Sequence, residues 1–273
     1  MPELPEVETI LRSLRPELEG QGIHRVTINR SSLIKQPSPE EFAARLNGQK
    51  IQSLKRRGKY LLLEISSNSI LIIHLGMTGQ LTCKPPSAPL LKHTHIIWEL
   101  NNGRELRYTD IRRFGKIILT DPAGLKQVSG LKDLGAEPLE KSFTPAVLQE
   151  GLKGKKGKIK ALLLDQHIVA GLGNIYTDEA LFLAQINPQR SGDSLGASEI
   201  EALAQAIRSV LQTGIDHNGT SIQNYVDGQG NSGSNQEYLQ AYGQKICSRC
   251  GQKIAKIKIS GRSTFYCPNC QGA

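Results

Sequence analysis

Four cysteines and one proline are the residues here whose types and spacing could do chemistry. Cys247-x2-Cys250 and Cys267-x2-Cys270 are separated by sixteen residues. At that spacing two knuckles present four thiolates to one tetrahedral zinc ion. The expected cofactor is one structural Zn2+ in a ribbon. No acidic residue follows Glu237, while Lys245, Arg249, Lys253, Lys256, Lys258 and Arg262 all fall in this tail. A metal-stapled positive hairpin suits a polyanion, and the same spacing also serves a purely structural staple.

At the other end stands Met1-Pro2-Glu3-Leu4-Pro5-Glu6. Once Met1 is removed, Pro2 presents a secondary amine, and an α-amino group titrating near 7.7–8.0 is partly uncharged and nucleophilic at neutral pH. Such an amine can attack a sugar C1′ and form an iminium without a lysine, with Glu3 and Glu6 beside it for proton transfer. The same residues also make a good helix start, because Pro fits the first turn and carboxylates suit the N-terminal dipole.

These residues need elements to position them. Leu4, Val7, Leu11, Leu14 and Leu18 recur at helical spacing and end at Gly20. The runs Tyr60–Ile65, Ile70–Leu75, His95–Leu100 and Lys116–Thr120 are short, aliphatic and separated by turn signals. They predict a two-layer β-sandwich with the first helix packed on it. A loop-rich stretch from Asp121 to Thr144 reads as a linker. Helices are predicted over about 145–152, 159–165, 174–184, 198–213 and 221–225. The segment 227–235 (DGQGNSGSN) is too rich in Gly and Ser for regular structure and reads as a mobile loop before the ribbon.

The chain has 273 residues and a formal net charge of +9, enough length for two domains plus the ribbon and a balance that favours anionic partners. No apolar run has membrane-span length and nothing resembles a secretory signal. Using four of the five cysteines as metal thiolates points to a reducing cytoplasm, with Cys83 left as a buried or part-buried thiol.

Several further motifs could touch a nucleic acid. Lys55-Arg56-Arg57-Gly58-Lys59 leads into a strand and forms either a solvated face or a phosphate grip. His74-Leu75-Gly76-Met77-Thr78-Gly79 ends a strand in a turn whose Met is either core filler or a wedge between bases. Arg112-Arg113-Phe114-Gly115 combines guanidinium groups with a ring, as base-unstacking segments do. His93 and His95 could meet phosphate, metal or neither. Lys153 to Lys160 holds five lysines and precedes Gly171-Leu172-Gly173-Asn174, glycines that let a helix N-terminus approach a phosphate.

MPELPEVET, KYLL, HLGMTG, YTDIRRFG, GLGNIYTDE and the four-cysteine tail stand in that order along the chain. Together they resemble the formamidopyrimidine-DNA glycosylases, bacterial base-excision repair enzymes, over essentially the whole length. The resemblance implies an α+β multidomain fold: a β-sandwich with a leading helix over 1–134, a helix-two-turn-helix domain over 135–236 and a zinc ribbon over 237–273. DNA is expected in the cleft between the domains. It implies a monomer acting on damaged double-stranded DNA, cytoplasmic and nucleoid-associated, with no membrane contact. The expected activity is glycosylase/AP lyase on oxidised purines. Pro2 is the implied Schiff-base nucleophile, Glu3 the acid/base, Glu6 its support and Lys59 a proton donor. Met77, Arg112 and Phe114 are the implied wedge, and His74 joins them on the DNA. His93, Lys153, Lys160, Asn174 and Arg262 match phosphate-contacting positions, Arg262 also being the proton donor for the last elimination. The segment near 228–236 matches the lesion-covering loop. Ile111 stands where many relatives have proline. The alternatives are endonuclease VIII, the sister enzyme for oxidised pyrimidines, and a DNA-binding protein that lost catalysis. The opening PELPEV and the Met77, Arg112 and Phe114 set argue against the first, and intact Pro2, Glu3 and Lys59 against the second.

Overall fold

The aliphatic runs do pair as strands. The computed structural model describes residues 1–272, and the chain divides into two compact units: Met1–Lys132 with His217–Ser234, and Asp133–Asp216 with the chain from Asn235 onward.

In the first unit, α1 (Leu4–Leu18) precedes β1 (Ile23–Ile28), β2 (Ile34–Gln36), α2 (Pro39–Leu46), β3 (Ile51–Arg57), β4 (Tyr60–Ile65), β5 (Ser69–His74), β6 (Gly79–Lys84), β7 (Thr94–Leu100), β8 (Glu105–Asp110), β9 (Lys116–Thr120) and the one-turn α3 (Pro122–Leu125). The strands form two sheets, ordered β1-β7-β8-β6 and β2-β9-β5-β4-β3, antiparallel except for the β2–β9 pair. Leu4, Val7, Leu11, Leu14 and Leu18 are all buried, as their spacing predicts. From Val7 onward this stripe joins one apolar cluster with Leu61, Leu63, Ile73, Ile96, Trp98 and Tyr108 from the sheets. Burying such side chains is worth about 1.5–3 kcal/mol each, so the sandwich is an apolar scaffold carrying functional groups at its rim.

Two expectations need correction. Residues 221–225 form no helix: Gly219 at φ +82° breaks the chain direction after Asp216, and Ser221 Oγ donates to the Tyr225 carbonyl at 3.0 Å, closing a turn instead. The stretch after Asp121 is not all linker, since Val128 and Leu131 are buried within the first unit. The segment 227–235 is irregular apart from the short turn that begins at Asn235, and it is pinned as well. Cys83 N–H donates to the Gly228 carbonyl at 2.8 Å, and Gly228 N–H donates to Ser13 Oγ at 2.8 Å. A Cβ on Gly228 would lie 2.4 Å from Leu14 Cγ, so only glycine allows this approach.

The second unit contains α4 (Pro145–Leu152), α5 (Ile159–Leu164), α6 (Asn174–Leu183), α7 (Ala197–Asp216) and the ribbon strands β10 (Ala255–Ile259) and β11 (Arg262–Tyr266), paired antiparallel. Helix α6 starts at Asn174, directly after an extended Gly173. No helix among the described residues is long and apolar enough to cross a membrane.

Candidate functional site

At the start of the first unit, α1 presents Pro2, Glu3 and Glu6 together, all buried, whereas Met1 is exposed. The Glu6 carboxylate is anchored on both oxygens: Glu3 N–H donates to Oε2 at 2.8 Å and Thr220 N–H to Oε1 at 2.8 Å. Each is a charge-assisted bond, roughly twice as strong as a neutral one. Glu6 thus fixes the chain beside Pro2 and ties it to the segment following Gly219. A Cβ on Gly219 would come within 3.0 Å of Glu6 Cγ. Tyr225 packs beside it, and burial, with the Glu6 charge second, pushes its phenol well above the ordinary value.

Lys59 is buried next to the β3–β4 turn at Gly58, φ +55°. Arg56 spans that turn and α1, donating to the Gly58 carbonyl at 3.1 Å and to Glu8 at 3.0 Å. Burial raises the Glu8 carboxyl, but the bonds and charges of Arg12 and Arg56 outweigh it and hold the group below its ordinary value. His74, at the end of β5, lies 4.8 Å from the Tyr60 ring, centroid to centroid. Its Nδ1 accepts from Gly76 N–H at 3.2 Å, so the neutral ring carries its proton on Nε2. Burial, then the positive charges of Lys59 and Lys116, lower the imidazole from 6.5 to about 4.

The structure brings Met77, Arg112 and Phe114 to adjoining turns. Phe114 is 53% exposed, Arg112 is exposed and Met77 half-buried. The Arg112 guanidinium carbon sits 4.7 Å from the Phe114 ring centroid, a cation–π contact. His93 is half-buried on the loop before β7, and its carbonyl accepts from Asp110 N–H at 3.1 Å. His95 faces inward, with Nε2 donating to the Asp110 carbonyl at 2.8 Å.

In the second unit Lys153 is exposed after α4, its Nζ 3.5 Å from the Glu150 carboxylate. Lys160 requires a correction. It is fully buried, its Nζ 2.7 Å from Asp178 Oδ1 and donating to the Ser263 carbonyl at 2.8 Å. With no accessible surface it holds the ribbon rather than a phosphate. Asn174 Nδ2 donates to the same Ser263 carbonyl at 2.9 Å, which leaves its buried Oδ1 without a partner. Arg262, next to Ser263, is exposed at a tight turn where Ser260 and Gly261 have φ +48° and +75°. Asp178 also accepts from Phe265 N–H at 3.0 Å; burial raises its carboxyl above the ordinary value, with Lys160 pulling it back. Glu179 accepts from the N–H groups of Gln240, Ala241 and Tyr242 at 2.7–2.9 Å, yet burial still lifts its carboxyl.

The four cysteine sulfurs lie within 4.8 Å of one another, with Cys247–Cys270 at 3.8 Å and Cys250–Cys267 at 3.5 Å. Zn–S bonds of about 2.3 Å in a tetrahedron require sulfurs about 3.8 Å apart, so the donor set fits zinc.

Sequence reading missed Thr220, Thr78, Asp110, Asp178 and Glu179. Each has at least one partner far away in the chain, a contact that leaves no local spacing signal.

Family models match along the chain: the N-terminal domain of formamidopyrimidine-DNA glycosylase over residues 1–117, its H2TH domain over 134–226, and a zinc finger found in FPG and IleRS over 245–272. The formamidopyrimidine-DNA glycosylase of Pelotomaculum thermopropionicum is 46% identical over 273 residues, covering 99% of each chain. The crystal structure of a Lactococcus lactis FPG mutant with Fapy-dG containing DNA superposes with a TM-score of 0.94 at 39% identity, covering 100% of both chains. The Lactococcus lactis Fpg in complex with abasic-site DNA gives 0.93 at 39% identity, covering 99% of this chain and 100% of that one.

Proposed function

The chain belongs to the formamidopyrimidine-DNA glycosylase family, and on that premise we propose that it is a bifunctional glycosylase/AP lyase for oxidised purines in duplex DNA, using Pro2 as nucleophile. The observation that carries this reading is the buried Pro2–Glu3–Glu6 start of α1, with Glu6 anchored by the Glu3 and Thr220 amides. An amine held this way approaches a substrate carbon in one geometry, which is where positioning supplies rate.

After Met1 removal, the Pro2 nitrogen forms a bond to C1′ as the C1′–base bond breaks. Glu3 transfers the protons that let the base leave and the sugar ring open. The resulting iminium acidifies the 2′ protons. Loss of one expels the 3′ phosphate, and a second elimination expels the 5′ phosphate, with Arg262 and Lys59 as proton donors. His74, His93, Lys153 and Asn174 contact the strand, while Met77, Arg112 and Phe114 fill the gap left by the extruded nucleotide. Extrusion costs a few kcal/mol, less for a damaged base. Zinc on Cys247, Cys250, Cys267 and Cys270 supplies rigidity to the hairpin bearing Arg262 and takes no part in bond making.

Borohydride reduction during turnover of an 8-oxoguanine duplex should cross-link the DNA to the peptide beginning at Pro2, as read by mass spectrometry. Blocking that amine, by acetylation or by retaining Met1, should abolish the adduct while DNA binding survives. Attachment at Lys59 or any other lysine would overturn the mechanism.

A further inference from the structure

We propose that Asp110 and Thr78 are positioning residues that lock the turns carrying Met77, Arg112 and Phe114 into one rigid wedge. This deepens the reading above and rests on the wedge role given there to those three side chains.

The three side chains come from two turns, Met77 from the one after β5 and Arg112 and Phe114 from the one after β8. A wedge entering a base stack is pushed back by the stacking it displaces. Loose turns would yield. Asp110 ends β8 with 0% exposure, and Thr78 is 8% exposed. The Thr78 hydroxyl donates its single proton to Asp110 Oδ1 at 2.6 Å and accepts Arg112 N–H at 2.9 Å. The second carboxylate oxygen accepts Gly115 N–H at 2.9 Å and Tyr108 O–H at 3.4 Å. One carboxylate therefore holds Gly115 and Thr78, the residue following Met77, directly, and Arg112 through the Thr78 hydroxyl.

The backbones of the two turns also touch. Gly76 has φ +64°, and a Cβ there would lie 2.6 Å from the Phe114 carbonyl carbon. Arg113 holds φ +58°, a left-handed conformation that a non-glycine residue keeps only when its surroundings enforce it. Ile111 is 51% exposed and none of these bonds involves it, so the turn is aimed by Asp110 and not by the residue after it.

The test uses the full-length, zinc-loaded enzyme and single-turnover cutting of an 8-oxoguanine duplex and of a preformed abasic site. Thr78→Val keeps the shape and removes the hydroxyl. Duplex-lesion cutting should fall by about ten- to a hundred-fold, the scale of a misplaced positioning group. Abasic-site cutting should fall several-fold less, and the dissociation constant for DNA should hold. Thr78→Ser should restore the duplex activity, and Asp110→Asn should repeat the Thr78→Val pattern where thermal melting confirms a fold. A 2-aminopurine beside the lesion should report less unstacking in Thr78→Val than in the parent. Met77→Ala with Phe114→Ala is run alongside. If that pair shows the selective loss and Thr78→Val does not, the clamp is wrong and the wedge stands. Equal losses on both substrates for the pair remove the wedge reading and the clamp with it.

Discussion

The sandwich and the ribbon solve the same problem with different materials. In the first, side chains from α1 and both sheets make one continuous apolar cluster, and the functional groups stand on turns around it. In the second unit, the helices α4 to α7 bury an apolar core of their own, but the ribbon's cluster is small: Ala241, Cys247, Ile254 and Cys267 against Phe182 of α6, two of them metal thiolates. Buried charge does what apolar mass does elsewhere, through Lys160–Asp178 and the triply bonded Glu179. A small module cannot bury enough surface to hold itself, so it relies on metal and on hydrogen bonds to ionised groups. The difference teaches that single polar deletions should injure the ribbon, whereas the sandwich should feel lost volume.

Removing the metal breaks the comparison most severely. Structural zinc contributes on the order of 10–16 kcal/mol of apparent free energy in small modules. Chelation, or Cys267→Ser, should unfold the ribbon, abolish tight duplex binding and leave the amides of the sandwich protected from hydrogen exchange. Tight binding by metal-free protein, or loss of protection in both units together, would contradict the division of labour.

Lost volume is the next largest effect. Leu14 is fully buried, inside the main cluster and under Gly228. Leu14→Ala should cost about 2–5 kcal/mol in denaturant unfolding of the first unit. Zinc affinity of the variant should match the parent. Glu179→Gln is smaller, because the amide oxygen still accepts from Ala241 and Tyr242 while its NH2 can no longer accept from Gln240; about 1–3 kcal/mol follows. The loss should be local, as faster exchange at the amides of Gln240, Ala241 and Tyr242. A global loss of protection would show that Glu179 stabilises the whole unit and not the ribbon connection.

What the sequence made legible follows the same division. Periodicity revealed α1, and short aliphatic runs revealed β4, β5, β7 and β9, because these are local patterns; β1, β3, β6 and β8 carry more polar residues and were not legible. Ser69–His74 and Lys116–Thr120 pair in register within a residue of the predicted runs. The cysteine ligands were legible because metal geometry imposes spacing. The resemblance puts Lys160 on a phosphate, and its burial was not legible because Asp178, which makes that burial tolerable, lies on the next helix. The turn at residues 221–225 was misread because Tyr225 and Ile222 mimic a helical face, while the left-handed Gly219 redirects the chain. Thr78 and Asp110 meet across 32 positions, a separation at which no residue type announces its partner.

The smallest expected effect tests whether the sandwich contains one polar weak point of its own. His74 has its Nδ1 committed to Gly76 N–H, and burial with the charges of Lys59 and Lys116 lowers its titration from 6.5 to about 4. A base depressed in the folded state is neutral there while the unfolded chain is protonated. Stability from this group is therefore fully present above about pH 6.5 and is lost as pH falls toward 4. At pH 5.5 the loss amounts to no more than about 1.4 kcal/mol. His74→Asn retains an acceptor for Gly76 N–H and cannot titrate. The difference between parent and variant unfolding free energies should be flat from pH 8 to 6.5. Below that the parent should fall away relative to the variant, with faster exchange confined to the turn 75–78. Parallel acid profiles for the two proteins would place the acid sensitivity elsewhere, among carboxylates such as Glu8 whose titration is lowered by paired arginines.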